Sequence, residues 1–140
     1  MEQFNSILLI DDDFATNYLH KIFLHRIKIT QNIHVANNGQ HALELLFDQE
    51  ARPKITPEII FLDINMPLMD GWEFLIEYEK MAAPSSSKII MVTASANPED
   101  EKKGKDNPYV YQFLTKPLNE EKLKMVIESI NKENPERSTA

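Results

Sequence analysis

Short apolar runs alternate with helix-like segments along this 140-residue chain, and no other feature of the sequence constrains the fold as strongly. The runs are predicted to form five strands, at 6–10, 32–36, 58–63, 88–94 and 109–115. The first, third and fourth runs are continuously apolar, as expected for strands that are buried on both faces. Each connection between parallel strands places its helix on one face of the sheet. The pattern therefore predicts an α/β fold, a doubly wound, five-stranded parallel sheet.

Four segments between and after these strands have the composition or the apolar period of helices. They cover about 14–27, 40–50, 71–82 and 119–130. Leu19, Ile22 and Phe23 are predicted to form the apolar stripe of the first helix. The last helix has the best-formed stripe, made of Leu123, Val126, Ile127 and Ile130. Asp70 and Glu73 have the spacing of a capping pair at the start of the third helix.

The segment 97–108, NPEDEKKGKDNP, is the weak part of this pattern. It lies where another helix is due, but it holds no large apolar residue. A short helix around PEDEKK is compatible with the composition, and nothing in the sequence predicts how it packs. We expect one domain over 1–131, followed by a polar, flexible tail over 132–140.

Composition narrows the class of protein without identifying it. The formal net charge of -7 argues against a nucleic-acid surface, because such a surface needs a basic patch. The chain has no cysteine, which excludes a disulfide framework and a thiolate metal site. No apolar run approaches the roughly 20 residues that span a bilayer, and the first residues, MEQFNS, have no signal-peptide pattern. We therefore expect a cytoplasmic protein that contacts neither nucleic acid nor membrane.

Polar residues that can bind a ligand or take part in a reaction lie at the ends of four of the predicted strands. Asp11, Asp12 and Asp13 follow the first strand, Asp63 ends the third, Thr93 lies in the fourth and Lys116 follows the fifth. In an open parallel sheet, ligands bind beyond the carboxyl ends of the strands, so these residues should meet at one edge. Clustered carboxylates are hard oxygen ligands for Mg²⁺. A carboxylate beside such a metal can accept a phosphoryl group, which a lysine and a hydroxyl then stabilise.

Each of these residues also has a purely structural interpretation when it is taken alone. Acids after a strand favour the positive N-terminus of the next helix. Thr93 alone would be an ordinary strand residue, and Lys116 alone would be a solvated surface lysine. The functional interpretation depends on their occurring together, at the ends of four predicted strands.

Four motifs in order give the chain a family resemblance. LLIDDD, FLDINMPLMDG, MVTA and FLTKPL, with the weaker ANNGQHAL, make residues 5–131 resemble the receiver domain of two-component response regulators, of the chemotaxis-receiver type. The resemblance implies a flavodoxin-like (βα)5 fold with strand order 2-1-3-4-5. It also implies that 1–131 is one receiver domain.

The resemblance assigns roles to individual residues. Asp63 would be the phosphoacceptor. Mg²⁺ would be bound by Asp11, Asp12, Asp63 and the backbone carbonyl of Asn65. Thr93 and Lys116 would contact the phosphoryl group. Thr93 and Phe113 would form the conformational switch, and the Lys116–Pro117 peptide bond would be cis. Asp13 lies outside the acidic pair of Asp11 and Asp12 and is expected to cap the first helix.

The implied function is that of a single-domain response regulator. It would accept a phosphoryl group on Asp63 from a sensor histidine kinase or a histidine phosphotransfer protein, in a reaction that requires Mg²⁺. It would signal by phosphorylation-dependent contact with another protein, as a monomer or a weak dimer. Such a domain is not an enzyme, although it promotes its own phosphotransfer and dephosphorylation.

Two other functions stay open at this stage. A phosphatase of the aspartyl-phosphate kind is disfavoured because Asn65 occupies the position where such enzymes have a second Asp. An interaction module that is never phosphorylated is disfavoured by the complete set of acids, threonine and lysine. Asn65 and Ser95 flank the site at positions that tune dephosphorylation in the family. The polar segment 97–108 puts in doubt the partner-docking face that the family commonly uses.

Overall fold

The computed structural model of the protein describes residues 4–81, 87–94 and 97–133. In these residues strands and helices alternate strictly along the chain. The elements are β1 (Ile7–Ile10), α1 (Phe14–Arg26), β2 (Ile33–Ala36), α2 (Gly39–Leu46), β3 (Ile59–Asp63), α3 (Gly71–Met81), β4 (Lys88–Thr93), α4 (Pro98–Asp106), β5 (Val110–Thr115) and α5 (Glu120–Glu133).

The strands of the described residues form one parallel sheet in the order β2-β1-β3-β4-β5. The pairing of β1 with both β2 and β3 puts the first strand near the middle, with Ile7 opposite Ile33 on one side and Ile59 on the other. The order changes direction at β1, so the crevice between the ends of β1 and β3 is the expected ligand site. Both the fold class and the strand order predicted above are confirmed.

Hydrophobic side chains from alternate strand positions fill two layers, one on each face of the sheet. Leu8 and Ile10 pack in the layer under α2 and α3, whereas Ile7 and Leu9 pack in the layer under α1 and α5. All four residues of β1 and all five of β3 are buried. This burial on both faces explains why their sequences are continuous apolar runs.

Several local predictions are confirmed at the level of single contacts. The predicted stripe of α5 is buried along its whole length: Leu123, Val126, Ile127 and Ile130. The Glu73 N–H donates to Asp70 Oδ1 at 2.8 Å, and the Asp70 N–H donates to Glu73 Oε1 at 3.0 Å, which forms a capping box at α3. Asp13 caps α1 by accepting from the Ala15 N–H at 3.1 Å.

The predicted apolar stripe of α1 is only partly correct: Ile22 and Phe23 are half-buried, and Phe23 packs against the core, but Leu19 is not part of it. The buried side chains of this helix are Asn17, His20 and Leu24, whereas Leu19 is 50% exposed. The reason is that the N-terminal half of α1 packs beside the polar carboxyl edge of the sheet. There the Asn17 Nδ2 donates to the Asp11 backbone oxygen at 2.8 Å, a contact that no apolar side chain could make.

The polar segment 97–108 does form a helix, and a glycine specifies how it packs. Asn97 caps α4 through the Asp100 N–H at 2.8 Å. Of the α4 residues, all of which are described, only Gly104 is buried. A Cβ on Gly104 would lie 3.1 Å from Phe113 Cδ2, so the absent side chain lets the helix approach β5 closely. Trp72 secures the other flank, since its Nε1–H donates to Asp100 Oδ1 at 3.0 Å.

Two predicted boundaries are also corrected. The helix predicted over 40–50 ends at Leu46, because Phe47 turns into an antiparallel bridge with Pro53. Asp48 stabilises this turn by accepting from the Arg52 N–H at 2.9 Å. The last helix, predicted to end at 130, continues to Glu133, and residues 134–140 of the predicted tail lie outside the described residues. Among the described helices, none combines the length and the apolarity that a membrane crossing requires.

Candidate functional site

The four strand ends that the sequence analysis singled out meet at one edge of the sheet. Asp11 follows β1 directly, Asp63 is the last residue of β3 and Thr93 is the last residue of β4. Lys116 follows β5 and is fixed by its backbone, since its N–H donates to the Thr93 oxygen at 2.7 Å. Parallel pairing of adjacent strands therefore brings together residues that are far apart in sequence.

Three carboxylates form the centre of the site. Asp11, Asp12 and Asp63 each offer an oxygen, and these oxygens lie within 4.8 Å of one another. Asp11 and Asp63 are each only 4% exposed, whereas Asp12 is exposed. The cluster therefore opens to solvent on the Asp12 side. An all-oxygen, mostly carboxylate set with one open side suits a hard divalent cation that keeps some of its waters.

Lys116 ties the two buried carboxylates together. Its Nζ lies 2.7 Å from Asp11 Oδ2 and 3.4 Å from Asp63 Oδ1, and its side chain is 19% exposed. Burial alone would lower the pKa of Lys116, but the hydrogen bond and the charge of Asp11, together with Asp63, raise it above its ordinary value. The ammonium group is therefore charged at neutral pH and is available to an anionic ligand.

Asp63 is held as an anion at an energetic cost. Burial and, after it, the charge of Asp11 raise the pKa of Asp63 from 3.8 to about 6, while Lys116 acts in the opposite direction. The carboxylate is thus mainly ionised at pH 7, although its charge is strained by its surroundings. A cation placed among the three acids would relieve this repulsion.

Asn65 and Thr93 lie next to each other at the ends of β3 and β4. The Thr93 side chain is fully buried, and the Asn65 Nδ2 lies 3.5 Å from Thr93 Oγ1. Asn65 is exposed and can move its amide without disturbing the core. Ser95, which was expected to flank the same side, lies outside the described residues.

Phe113 and the Lys116–Pro117 bond can be located directly. The peptide bond between Lys116 and Pro117 is cis, as the resemblance implied. Phe113 is half-buried and packs against α4 at Gly104. A change of its rotamer on phosphorylation stays a prediction.

Three residues that the sequence analysis did not assign also shape the site. A Cβ on Gly71 would lie 2.7 Å from the Asp63 backbone oxygen, so only glycine lets α3 begin so close to β3. The Gly71 N–H also donates to the Ile64 oxygen at 2.8 Å, which closes the loop after Asp63. The DG pair in MPLMDG was the available signal for this contact.

Asn17 and His20 are buried behind the acids, and no sequence pattern distinguished them from ordinary surface residues of a helix.

Comparison with known proteins gives consistent results. A family model described as a response regulator receiver domain matches residues 7–128. The chain is 29% identical to the probable methanogenesis regulatory protein FilR2 of Methanothrix harundinacea (strain 6Ac), over 89% of this chain and 79% of that protein. It is 30% identical to two-component response regulator 24 of Arabidopsis thaliana, over 89% of this chain and 82% of that protein.

A solved structure gives a close match of the backbone as well. The crystal structure of a two-component response regulator from Cytophaga hutchinsonii superposes with a TM-score of 0.82 at 28% sequence identity. The superposition covers 91% of this chain and 96% of that one.

Proposed function

Because the chain belongs to the response regulator receiver domain family of two-component signalling, we propose that it accepts a phosphoryl group on Asp63 and signals through the phosphorylated state. The observation that supports this proposal most directly is the position of the Lys116 Nζ, 2.7 Å from Asp11 and 3.4 Å from Asp63. This position puts the Lys116 ammonium group where it can stabilise the negative charge of a phosphoryl group that is transferred to Asp63.

In the proposed transfer, an Asp63 carboxylate oxygen is the nucleophile. A lone pair of an Asp63 carboxylate oxygen forms the new O–P bond, while the N–P bond of a phosphohistidine breaks and its electron pair stays on the imidazole. Lys116 and the Thr93 hydroxyl would donate to the equatorial oxygens, where the transition state spreads its charge. Because the pKa of Asp63 is about 6, the nucleophilic form dominates at neutral pH.

The residues present fit a magnesium ion. Asp11, Asp12 and Asp63 would supply carboxylate oxygens and Asn65 its backbone carbonyl, so the protein contributes only the hard oxygen ligands that Mg²⁺ prefers. When bound, Mg²⁺ would neutralise the negative charge that develops on the phosphoryl oxygens. Asp12, as the exposed member, would define the side on which the donor approaches.

The surface around the acids suits a protein donor. Three large apolar side chains, on α1 and in the loop after β3, are exposed: Phe14 by 78%, Tyr18 by 61% and Leu68 by 102%. Phe14 begins α1, directly after Asp13, and Leu68 lies in the loop between Asp63 and α3. A partner protein that presents a phosphohistidine to Asp63 would find apolar contacts on these two adjoining segments. We infer that the donor is a sensor histidine kinase or a histidine phosphotransfer protein.

The output would be a change of affinity for a downstream protein. Thr93 and Phe113 are the proposed switch residues, and Phe113 already contacts α4 at Gly104. A movement of the Phe113 ring would therefore alter the position of α4 on the surface. We propose that 1–131 is the receiver domain and that it acts in the cytoplasm as a monomer or a weak dimer.

The two competing functions make different predictions in one experiment. Incubation with Mg²⁺ and acetyl phosphate should label the chain stoichiometrically if it is a phosphoacceptor. Continuous turnover would indicate a phosphatase, and the absence of labelling would indicate an interaction module. The phosphatase is disfavoured because such an enzyme needs an acid where Asn65 stands, and the Asn65 amide instead lies beside Thr93.

The residue assignment is tested by mass spectrometry of the labelled chain. Asp63→Asn should abolish hydroxylamine-labile phosphorylation and leave the fold intact. Asp70→Asn is the matched control, because Asp70 belongs to the capping box of α3 and not to the acidic cluster. Full labelling of Asp63→Asn at another residue would refute the assignment.

A further inference from the structure

A small, partly open cavity lies beside the acidic site, between α1 and the sheet. Its polar lining is made of Asp11, Asn17, His20 and Asp63, and apolar side chains of β1, β3 and β4 complete it. The cavity volume is about 10 Å³. One water molecule needs about 10–15 Å³. The volume is at the lower limit for a single water, and it is too small for any organic ligand.

Asn17 leaves one of its polar atoms unsatisfied at this cavity. The residue is 3% exposed, and its Nδ2 donates to the Asp11 backbone oxygen at 2.8 Å. Within the described part of the chain no group donates a hydrogen bond to its Oδ1, although that atom is fully buried. Leaving a buried amide oxygen without a donor is costly. A small hydrogen-bond donor in the cavity would therefore satisfy the Asn17 Oδ1.

His20 supplies complementary groups. It is 7% exposed and lines the cavity, and no hydrogen bond joins its ring to another described residue. Burial lowers the pKa of His20 to about 4, with the charge of Asp11 opposing this effect and that of Lys116 adding to it. A neutral imidazole offers one N–H donor and one acceptor nitrogen. The ring can thus donate to a water that in turn donates to its neighbours.

We propose that the cavity is an internal hydration site, in which one water joins the Asn17 Oδ1, the His20 imidazole and the Asp11 carboxylate. The water accepts from the His20 N–H and donates to Asn17 and Asp11. This gives three hydrogen bonds, the usual number for a buried water. Asn17 and His20 then act as positioning residues for the acidic site, which their contacts support from behind.

The water would complete the set of contacts that hold Asp11. The Asp11 Oδ2 already faces the Lys116 Nζ at 2.7 Å, and its Oδ1 accepts from the Asp13 N–H at 2.9 Å. Contacts behind a metal ligand orient it, and their loss typically weakens metal binding by about 10–100-fold. This functional consequence rests on the proposed role of Asp11 as a ligand of Mg²⁺, whereas the hydration site itself does not.

The hydration site is tested on the metal-free protein by NMR. We expect cross-relaxation between a long-lived water and both the Asn17 side-chain amide protons and the His20 ring protons. A direct Asn17–His20 hydrogen bond, or the absence of water contacts at both side chains, would overturn the proposal. Because no metal is present, this result does not depend on whether the chain binds Mg²⁺ or accepts a phosphoryl group.

The positioning role is tested by Mg²⁺ titration calorimetry on three variants. His20→Leu removes both ring nitrogens, His20→Gln keeps a donor and an acceptor, and His25→Leu is the control on an exposed position of the same helix. We expect His20→Leu to weaken Mg²⁺ binding by about tenfold, with His20→Gln within about threefold of the parent. His25→Leu should bind like the parent.

Two outcomes of this titration would contradict the positioning role. Equal weakening by leucine and glutamine at position 20 would show that His20 acts only through packing. Unchanged binding in both variants would show that it does not support Asp11. If the parent itself binds no Mg²⁺, the proposed function fails, while the NMR result still decides the hydration site.

Discussion

Replacing Asp63 with asparagine should stabilise the metal-free protein, because it removes a buried charge and keeps the shape of the side chain. The pKa of Asp63 rises from 3.8 to about 6 in the folded chain. Since one pKa unit is worth about 1.4 kcal/mol, ionising Asp63 costs the fold roughly 3 kcal/mol at pH 8. Lys116 keeps its closer partner in the variant, because Asp11 lies 2.7 Å away and Asp63 lies 3.4 Å away. This cost already includes the attraction of Lys116, which is among the causes of the net pKa, so it is an upper limit, and we expect Asp63→Asn to be more stable by about 1–2 kcal/mol.

The pH dependence of this difference has a definite sign. Because the folded-state pKa of Asp63 is raised, the folded protein binds more protons than the unfolded chain between pH 3.8 and about 6. The contribution of Asp63 to stability is therefore present below pH 3.8 and is lost as the pH rises towards 6. The advantage of Asp63→Asn should accordingly grow across this window, level off above it and vanish near pH 3.

Urea unfolding in EDTA at several pH values, followed by Mg²⁺ titration, measures both effects. Mg²⁺ should stabilise the parent by RT ln(1 + [Mg²⁺]/Kd), about 2.7 kcal/mol at 100 times Kd, and should stabilise Asp63→Asn much less. The order of stability should therefore invert as Mg²⁺ is added. Asp12→Asn is the control: Asp12 is exposed, so its loss should change the metal-free stability little and still weaken the effect of Mg²⁺. An Asp63→Asn variant that is less stable than the parent in EDTA at pH 8 would refute the reasoning.

Three further substitutions test other parts of the structure. Gly104→Ala should destabilise the protein by about 1 kcal/mol in urea unfolding, because the new Cβ would lie 3.1 Å from Phe113 Cδ2. Helix propensity alone predicts the opposite, a gain in stability of about 1 kcal/mol, and that result would contradict the packing of α4 described above. Leu68 has a φ of 69° and is fully exposed, so Leu68→Asn should stabilise the fold by roughly 0.5 kcal/mol in the same assay. A loss of stability would show that the Leu68 side chain makes a contact that stabilises the fold by more than its positive φ destabilises it. Phe14→Ser should slow phosphorylation by a protein donor and leave the rate of labelling by acetyl phosphate unchanged. Equal slowing of both reactions would show that Phe14 affects the phosphoryl transfer itself and not the contact with the donor protein.

Much of the site was predictable because strand ends are visible in a sequence. A continuous apolar run that stops at an acid shows where a buried strand ends. The parallel topology then requires that Asp11, Asp63 and Thr93 share one edge. The capping box of Asp70 and Glu73 was predictable for a similar reason, since it depends on a spacing of three residues along one helix.

The errors occurred where a residue's role depends on a partner that is distant in sequence. The apolar period of α1 favoured Leu19, but the helix buries Asn17 and His20 because its N-terminal half packs beside polar groups at the carboxyl edge. Helical periodicity records only which side chains are apolar, and it contains no information about the polarity of the opposing surface.

The amino-acid sequence by itself determined the fold class, the strand order through its family motifs, and the set of acids, threonine and lysine at one edge. These features depend on local patterns of burial and on chain topology. Only the tertiary structure decided how α4 packs and what lies behind the acids. Gly104 specifies a helix contact through an absent side chain, and its effect exists only because Phe113 lies opposite it. The polar cavity of Asn17 and His20 likewise arises from the distance between α1 and the sheet, which packing sets and no single segment encodes.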